Sequence, residues 1–185
     1  DGFHQVIPPG VDQDTYARLS YLAAAYMRHE RLPGSPFAVY SLNAAISDRA
    51  EPSESLRVAG AWSAGHRDPV ILLSDRQLAT FRRGGEVEPE LEVRGEIGAY
   101  FVADDVALAA GGVHSWYAVG DTGLDHVAVN ETLALLGDPN RTEAALEAAL
   151  TENQDGVRRR VAGSDGLQLT ADEAATANHF SNVLF

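Results

Sequence analysis

The residues best suited to chemistry here are histidines, aspartates and aromatics, because the chain holds six histidines and no cysteine. Without thiols there is no disulfide, no thiolate metal site and no cysteine nucleophile. The densest segment is Val113-His114-Ser115-Trp116-Tyr117-Ala118-Val119, which runs through Gly120-Asp121-Thr122-Gly123 into Leu124-Asp125-His126-Val127-Ala128-Val129. Turn-forming residues between two apolar runs predict a β-hairpin with Val119 opposite Leu124. That register sets Tyr117 beside His126, and it puts His114 and Trp116 on the other face with Asp125, Val127 and Val129. The two histidines then share a metal only if a bulge turns one of them over.

A second candidate is Gly65-His66-Arg67-Asp68-Pro69, directly before the apolar Val70-Ile71-Leu72-Leu73. Histidine beside arginine and aspartate suits acid–base or anion-binding work, since neighbouring charges move an imidazole across neutral pH. The bland alternative is a polar loop entering a buried strand. The triplet His66-Arg67-Asp68 lacks the downstream asparagine and the glycine-rich loop of a kinase. Asp104-Asp105 could meet a metal or protonate a substrate, but neighbours in a strand face opposite sides, so the pair reads as a turn. His4 and His29 read as surface histidines, and His179 as a packed or solvated helix residue. Gathered into one cleft, His66, Asp68 and His114 would be catalytic, Trp116 and Tyr117 would contact a ligand, and His126 would hold a divalent metal.

Gly123-Leu124-Asp125-His126-Val127-Ala128-Val129 resembles the opening strand of vicinal-oxygen-chelate domains, the glyoxalase and extradiol-dioxygenase superfamily. The resemblance implies a metal on His126. It covers seven residues, and the chain departs from that family where Asn140 to Gly163 reads as helix in place of a later glutamate-bearing strand. No Walker loop, dinucleotide fingerprint, zinc-protease helix or nucleophile elbow is present in the sequence.

The elements that must position these residues read as α+β: a central, mainly antiparallel sheet with one N-terminal helix and two C-terminal helices covering one face. Residues 1–13 read as an irregular arm. A helix starts at Asp14, with Leu19, Leu22, Ala23, Tyr26 and Met27 forming its stripe up to Arg31-Leu32-Pro33-Gly34. Strand signals follow at Phe37 to Tyr40, Leu56 to Trp62, Val70 to Leu73, Ile97 to Val102, Val113 to Val119 and Leu124 to Val129. Asp75 to Arg83 suits a short helix, and Asn43 to Ser55 a loop. Asn140-Arg141-Thr142-Glu143 has the residue types of a capping box opening a helix through Val161, with Arg158-Arg159-Arg160 in its last turn. Thr170-Ala171-Asp172-Glu173 opens another, with a stripe through Ala177, Phe180 and Leu184.

With 185 residues, of which 45% are hydrophobic, the chain suits one ordered domain spanning 1–185. Its net charge is −13 and its 14 basic residues are all arginine, so nucleic acid is not an expected partner. No apolar run reaches the roughly 20 residues of a membrane span, so the expectation is a soluble protein, with the cytoplasm slightly favoured. The opening Asp1 suggests a processed or trimmed chain. The bare apolar end Val183-Leu184-Phe185 suggests another protein chain docking on Phe180, Leu184 and Phe185. Three functions fit: a subunit or processed fragment of a larger enzymatic assembly; a small metal-dependent or hydrolytic enzyme with a His/Asp/aromatic pocket; and a binding module for small or cationic ligands.

Overall fold

Runs rich in Val, Ala, Tyr and Leu, bounded by glycine and proline, form the strands of this protein. They form eight of them in the computed structural model, which describes residues 1–11, 22–42, 56–163 and 174. The strands are β1 (Gly2–Val6), β2 (Met27–Arg31), β3 (Ala38–Leu42), β4 (Val58–Ala64), β5 (Val70–Leu72), β6 (Glu92–Arg94), β7 (Gly98–Ala103) and β8 (Tyr117–Leu124). They pair antiparallel throughout, in a three-stranded sheet β1-β7-β5 and a five-stranded sheet β6-β2-β3-β4-β8. The helices are α1 (Leu78–Arg82), α2 (His126–Leu136) and α3 (Pro139–Ala162). The expected α+β class with antiparallel sheets is therefore the observed one.

Contacts group the chain into two units, Asp1–Gly137 and Asp138–Phe185. In the first, both sheets contribute to one core: Ala38, Tyr40, Ala59, Ala61 and Val93 come from the larger sheet, and Ile71, Tyr100 and Val102 from the smaller. Burying an aromatic ring of this kind stabilises by roughly 1.5–3 kcal/mol. Each tyrosine also needs a partner for its hydroxyl. Tyr40 donates to the Ala99 carbonyl at 2.8 Å, and Tyr100 donates to the Pro36 carbonyl at 2.8 Å and lies 3.1 Å from Ser63 Oγ. Burial pushes the Tyr100 phenol up to about 12. In the second unit α3 is capped by Asp138, whose carboxylate accepts from the amides of Asn140 and Arg141. The cap is thus Asp138 with Pro139 in the first turn, two residues before the expected Asn140. Arg159 and Arg160 occupy the last turn, as expected. Among the described residues no helix is long and apolar enough to cross a membrane.

Three local expectations need correction. Gly2–Val6, expected to be irregular, pairs as an edge strand with β7. Met27 belongs to a strand, and the helix before it is described only over 22–25, because Met27 to Arg31 finds partners on both sides in β3 and β6. The short strand β6 had no expectation behind it. The predicted hairpin does not form: Tyr117–Leu124 is one strand, and His126 opens α2. Gly120-Asp121-Thr122-Gly123 does not reverse the chain, since a bulge between the pairs Val58↔Leu124 and Gly60↔Asp121 absorbs the extra residue. Gly123 takes φ +72° there, a backbone region open to glycine. The expected helix start at Asp14, the loop through 43–55 and the final helix with His179, Phe180, Leu184 and Phe185 lie outside the described residues.

Candidate metal centre

The register of two strand pairs decides which polar side chains meet. β5 pairs with β7 so that Val70 lies opposite Ala103, which places the chain entering β5 beside the chain leaving β7. β4 pairs with β8 so that Ala64 lies opposite Tyr117, which places the chain leaving β4 beside the chain entering β8. The link from β4 to β5, residues 65–69, is where the backbone passes from one sheet to the other. It therefore sits between the end of β7 and the start of β8. Each of these three segments carries one candidate ligand: His66, Asp104 and His114.

One nitrogen of each imidazole and one carboxylate oxygen of Asp104 lie within 4.8 Å of one another. His66 Nδ1 is 3.1 Å from Asp104 Oδ2, with side-chain exposures of 8% and 15%. The hydrogen bond from His66 holds the Asp104 carboxyl below the usual carboxylate range, with the amides of Asp105 and Arg67 adding to the effect. An ionised carboxylate only accepts, so His66 Nδ1 is the donor of this bond, and the other ring nitrogen is Nε2. That Nε2 is buried with no partner, and so is the Nε2 of His114. Two buried imidazole nitrogens without a partner are costly in a folded protein unless a water or an ion satisfies them.

Trp116 closes one side. Its ring stacks on His114 at 5.9 Å and 28° and tilts against His66 at 6.2 Å and 41°. The indole N–H donates to Asp1 Oδ2 at 3.0 Å, while 44% of the residue stays open to solvent. Gly65 allows the close approach. A Cβ there would lie 2.5 Å from the Ser115 carbonyl oxygen and 2.8 Å from Trp116 Cα, and its φ of +90° suits glycine alone.

The structure thus brings His66, His114 and Trp116 together. Asp68, expected to serve His66, is exposed on the same turn and stands outside the cluster. The carboxylate beside His66 is that of Asp104, which the sequence weighed as a metal or acid residue and read as part of a turn. Tyr117 is half-buried on β8 opposite Ala64, the neighbour of Trp116 rather than a partner of His126. His126 is displaced furthest. It follows the far end of β8, a strand of eight residues spanning about 23 Å, and it opens α2 behind the cap Asp125, which accepts from the amides of Val127 and Ala128. The cluster of His66, Asp104 and His114 does not include it.

His29 also departs from its expected surface position. It is fully buried, with Nε2 2.8 Å from the Glu96 carbonyl oxygen, its ring tilted against Tyr40 and Nδ1 without a partner. Burial lowers its pKa, offset in part by the Glu96 bond.

No family model matches the chain, and no curated protein matches it in sequence. The resemblance to vicinal-oxygen-chelate domains rests on residues that are strand to Leu124 and helix from His126, so its single opening strand is not formed.

Proposed function

We propose that this chain is a small metal-dependent enzyme of hydrolytic type, built on one divalent ion held by His66, Asp104 and His114. The observation that carries the reading is the pair of buried, unpartnered imidazole nitrogens inside a cluster that also contains a carboxylate. The 3.1 Å between His66 Nδ1 and Asp104 Oδ2 is the hydrogen bond that orients the His66 ring. Asp104 serves the ion through its own oxygen, or through His66 as the backing carboxylate of a histidine ligand. In both arrangements its negative charge offsets that of the ion. Two imidazoles with one carboxylate suit zinc or ferrous iron. Two or three protein ligands would leave positions open for water and substrate, and an ion so held would lower the pKa of its water enough to supply a nucleophile at neutral pH. Trp116 forms the wall along which a substrate reaches that water.

The test is metal analysis after equilibration with zinc and dialysis, followed by assays on ester, amide and phosphoester probes. One ion per chain in the parent protein, lost in His66→Ala and His114→Ala, with zinc-dependent turnover of one probe class, is the expected result. No retained metal overturns the metal centre. Retained metal with no turnover overturns the enzymatic half and leaves a binding module.

A second reading, a subunit of a larger assembly, draws on α3. Leu150 and Val157 are exposed there at helical spacing from the buried Leu146 and Val161. The proposed docking residues Phe180, Leu184 and Phe185 extend that reading, and a monomeric mass by light scattering at micromolar concentration would count against it.

A further inference from the structure

The metal centre proposed above leaves one ligand unsupported. His66 is oriented by Asp104, whereas among the described residues no hydrogen bond orients His114. What holds the His114 ring is the indole of Trp116, stacked on it at 5.9 Å. The indole is itself half open to solvent and sits on the irregular segment just before β8, so packing fixes only one of its faces. Its anchor is Asp1. The Asp1 carboxylate accepts from Trp116 Nε1 at 3.0 Å through Oδ2 and from the Gly2 amide at 2.8 Å through Oδ1. Backbone bonds between Asp1 and Val102 hold the aspartate in place: the Asp1 nitrogen donates to the Val102 carbonyl at 3.1 Å, and the Val102 amide donates to the Asp1 carbonyl at 2.8 Å. Val102 lies on β7, the strand that ends just before Asp104.

We infer that Asp1 is a positioning residue of the metal centre, acting through Trp116 on His114. β7 then supports two ligands: Asp104, which follows it directly, and His114, through Asp1 and the indole. An anionic acceptor at one end of the indole fixes the rotation that the exposed face leaves free. A fixed indole holds the plane of the His114 imidazole stacked on it. Outer residues that orient a metal ligand commonly change metal affinity about 10–100-fold when removed. An exposed hydrogen bond acting through a ring contact belongs at the low end of that range.

The inference rests on the metal reading, and its experiment separates the two. Cobalt(II) affinity is measured by chelator competition for the parent, Asp1→Ala, Asp1→Asn and Trp116→Phe, together with Asp1→Ala in the Trp116→Phe background. In parallel, the imidazole ring resonances of His114 are recorded by NMR in the metal-free proteins. Asp1→Ala is expected to weaken cobalt binding about tenfold and to shift the His114 ring signals, with no change in melting temperature of the metal-free protein. Asp1→Asn keeps an oxygen acceptor and restores both. In the Trp116→Phe background, which lacks the indole N–H, Asp1→Ala has no further effect. Unchanged binding and ring signals in Asp1→Ala, or an equal loss in both backgrounds, overturns the inference. If the parent itself binds no cobalt, the metal reading fails, and the ring signals alone decide whether Asp1 orients His114.

Discussion

Replacing Gly65 by alanine loads a close contact between two segments that carry candidate ligands. The residue sits at φ +90°, so any side chain there meets the left-handed penalty of about 1–2 kcal/mol. The new Cβ would also lie 2.5 Å from the Ser115 carbonyl oxygen, 2.8 Å from Trp116 Cα and 3.2 Å from Trp116 Cβ. The two nearest atoms are backbone, so no side-chain rotation relieves them, and overpacking of this kind costs a further ~1–3 kcal/mol. The sum is roughly 2–5 kcal/mol, which for a chain of this length corresponds to a melting temperature lower by about 4–20 °C. The strain has a direction as well as a size. It pushes the Ser115–Trp116 backbone away from Gly65, and so separates His114 from His66, the residue after Gly65. Urea unfolding and zinc affinity should therefore both fall. The control is Gly34→Ala: Gly34 has φ +69° with nothing within 4 Å of the added atom, so it carries the backbone penalty without the collision. If the two variants lose equal stability and both bind zinc like the parent, the contact between Gly65 and the Ser115–Trp116 backbone does not position the site.

Two further outcomes follow from groups in the first unit. His29 is neutral when folded because burial lowers its pKa below 6.5, so the unfolded chain binds the extra proton. Stability is then full above the unfolded value and falls as pH drops below about 6.5 toward the folded value, by at most about 1.4 kcal/mol per pH unit. Urea unfolding at pH 5, 6 and 7 should show a slope that His29→Gln flattens, and equal slopes would contradict the assignment. Tyr100→Phe removes the donor to the Pro36 carbonyl and the bond with Ser63 Oγ. It should cost about 1–3 kcal/mol in denaturant unfolding for the groups left unpaired, and a neutral result would show that water replaces the hydroxyl.

The strands were legible where side-chain pattern and burial agree. Val70 to Leu73 reads as a buried run, and Val70, Ile71 and Leu72 form β5; Ile97 to Val102 reads the same way and gives β7. Met27 to Arg31 was not legible, because four of its five residues are Arg, His, Glu and Arg and only pairing with β3 and β6 makes it a strand. Gly120-Asp121-Thr122-Gly123 was misread for a different reason. Glycine and aspartate serve a tight turn and a bulge equally well, and the choice depends on whether β4 is alongside to pair with. His126 followed that error. Once the chain runs straight to Leu124, Asp125 is free to cap a helix, and the β-branched Val127 and Val129 are carried along in it.

Three of the four residues of the candidate site were legible for a related reason. His66, His114 and Trp116 stand out by type, and each is next to an apolar run that had to be a strand. Asp104 was missed because its partner lies 38 residues away, and the pairing of Val70 with Ala103 is the reason they meet. Asp68 was preferred as the neighbour of His66 in sequence. The same geometry explains why a site forms here at all. Tyr100 on β7 and Ser63 on β4 bond at 3.1 Å across the core, a few residues before Asp104 and His66 respectively. That bond ties the strand that ends at Asp104 to the strand that ends at His66, while β8 brings His114 and Trp116 in from the other edge of β4. The candidate ligands thus sit on short irregular segments whose anchors are paired strands of two packed sheets. The crossover from one sheet to the other leaves backbone that no ladder satisfies, and polar side chains accumulate where such backbone must stay near the core.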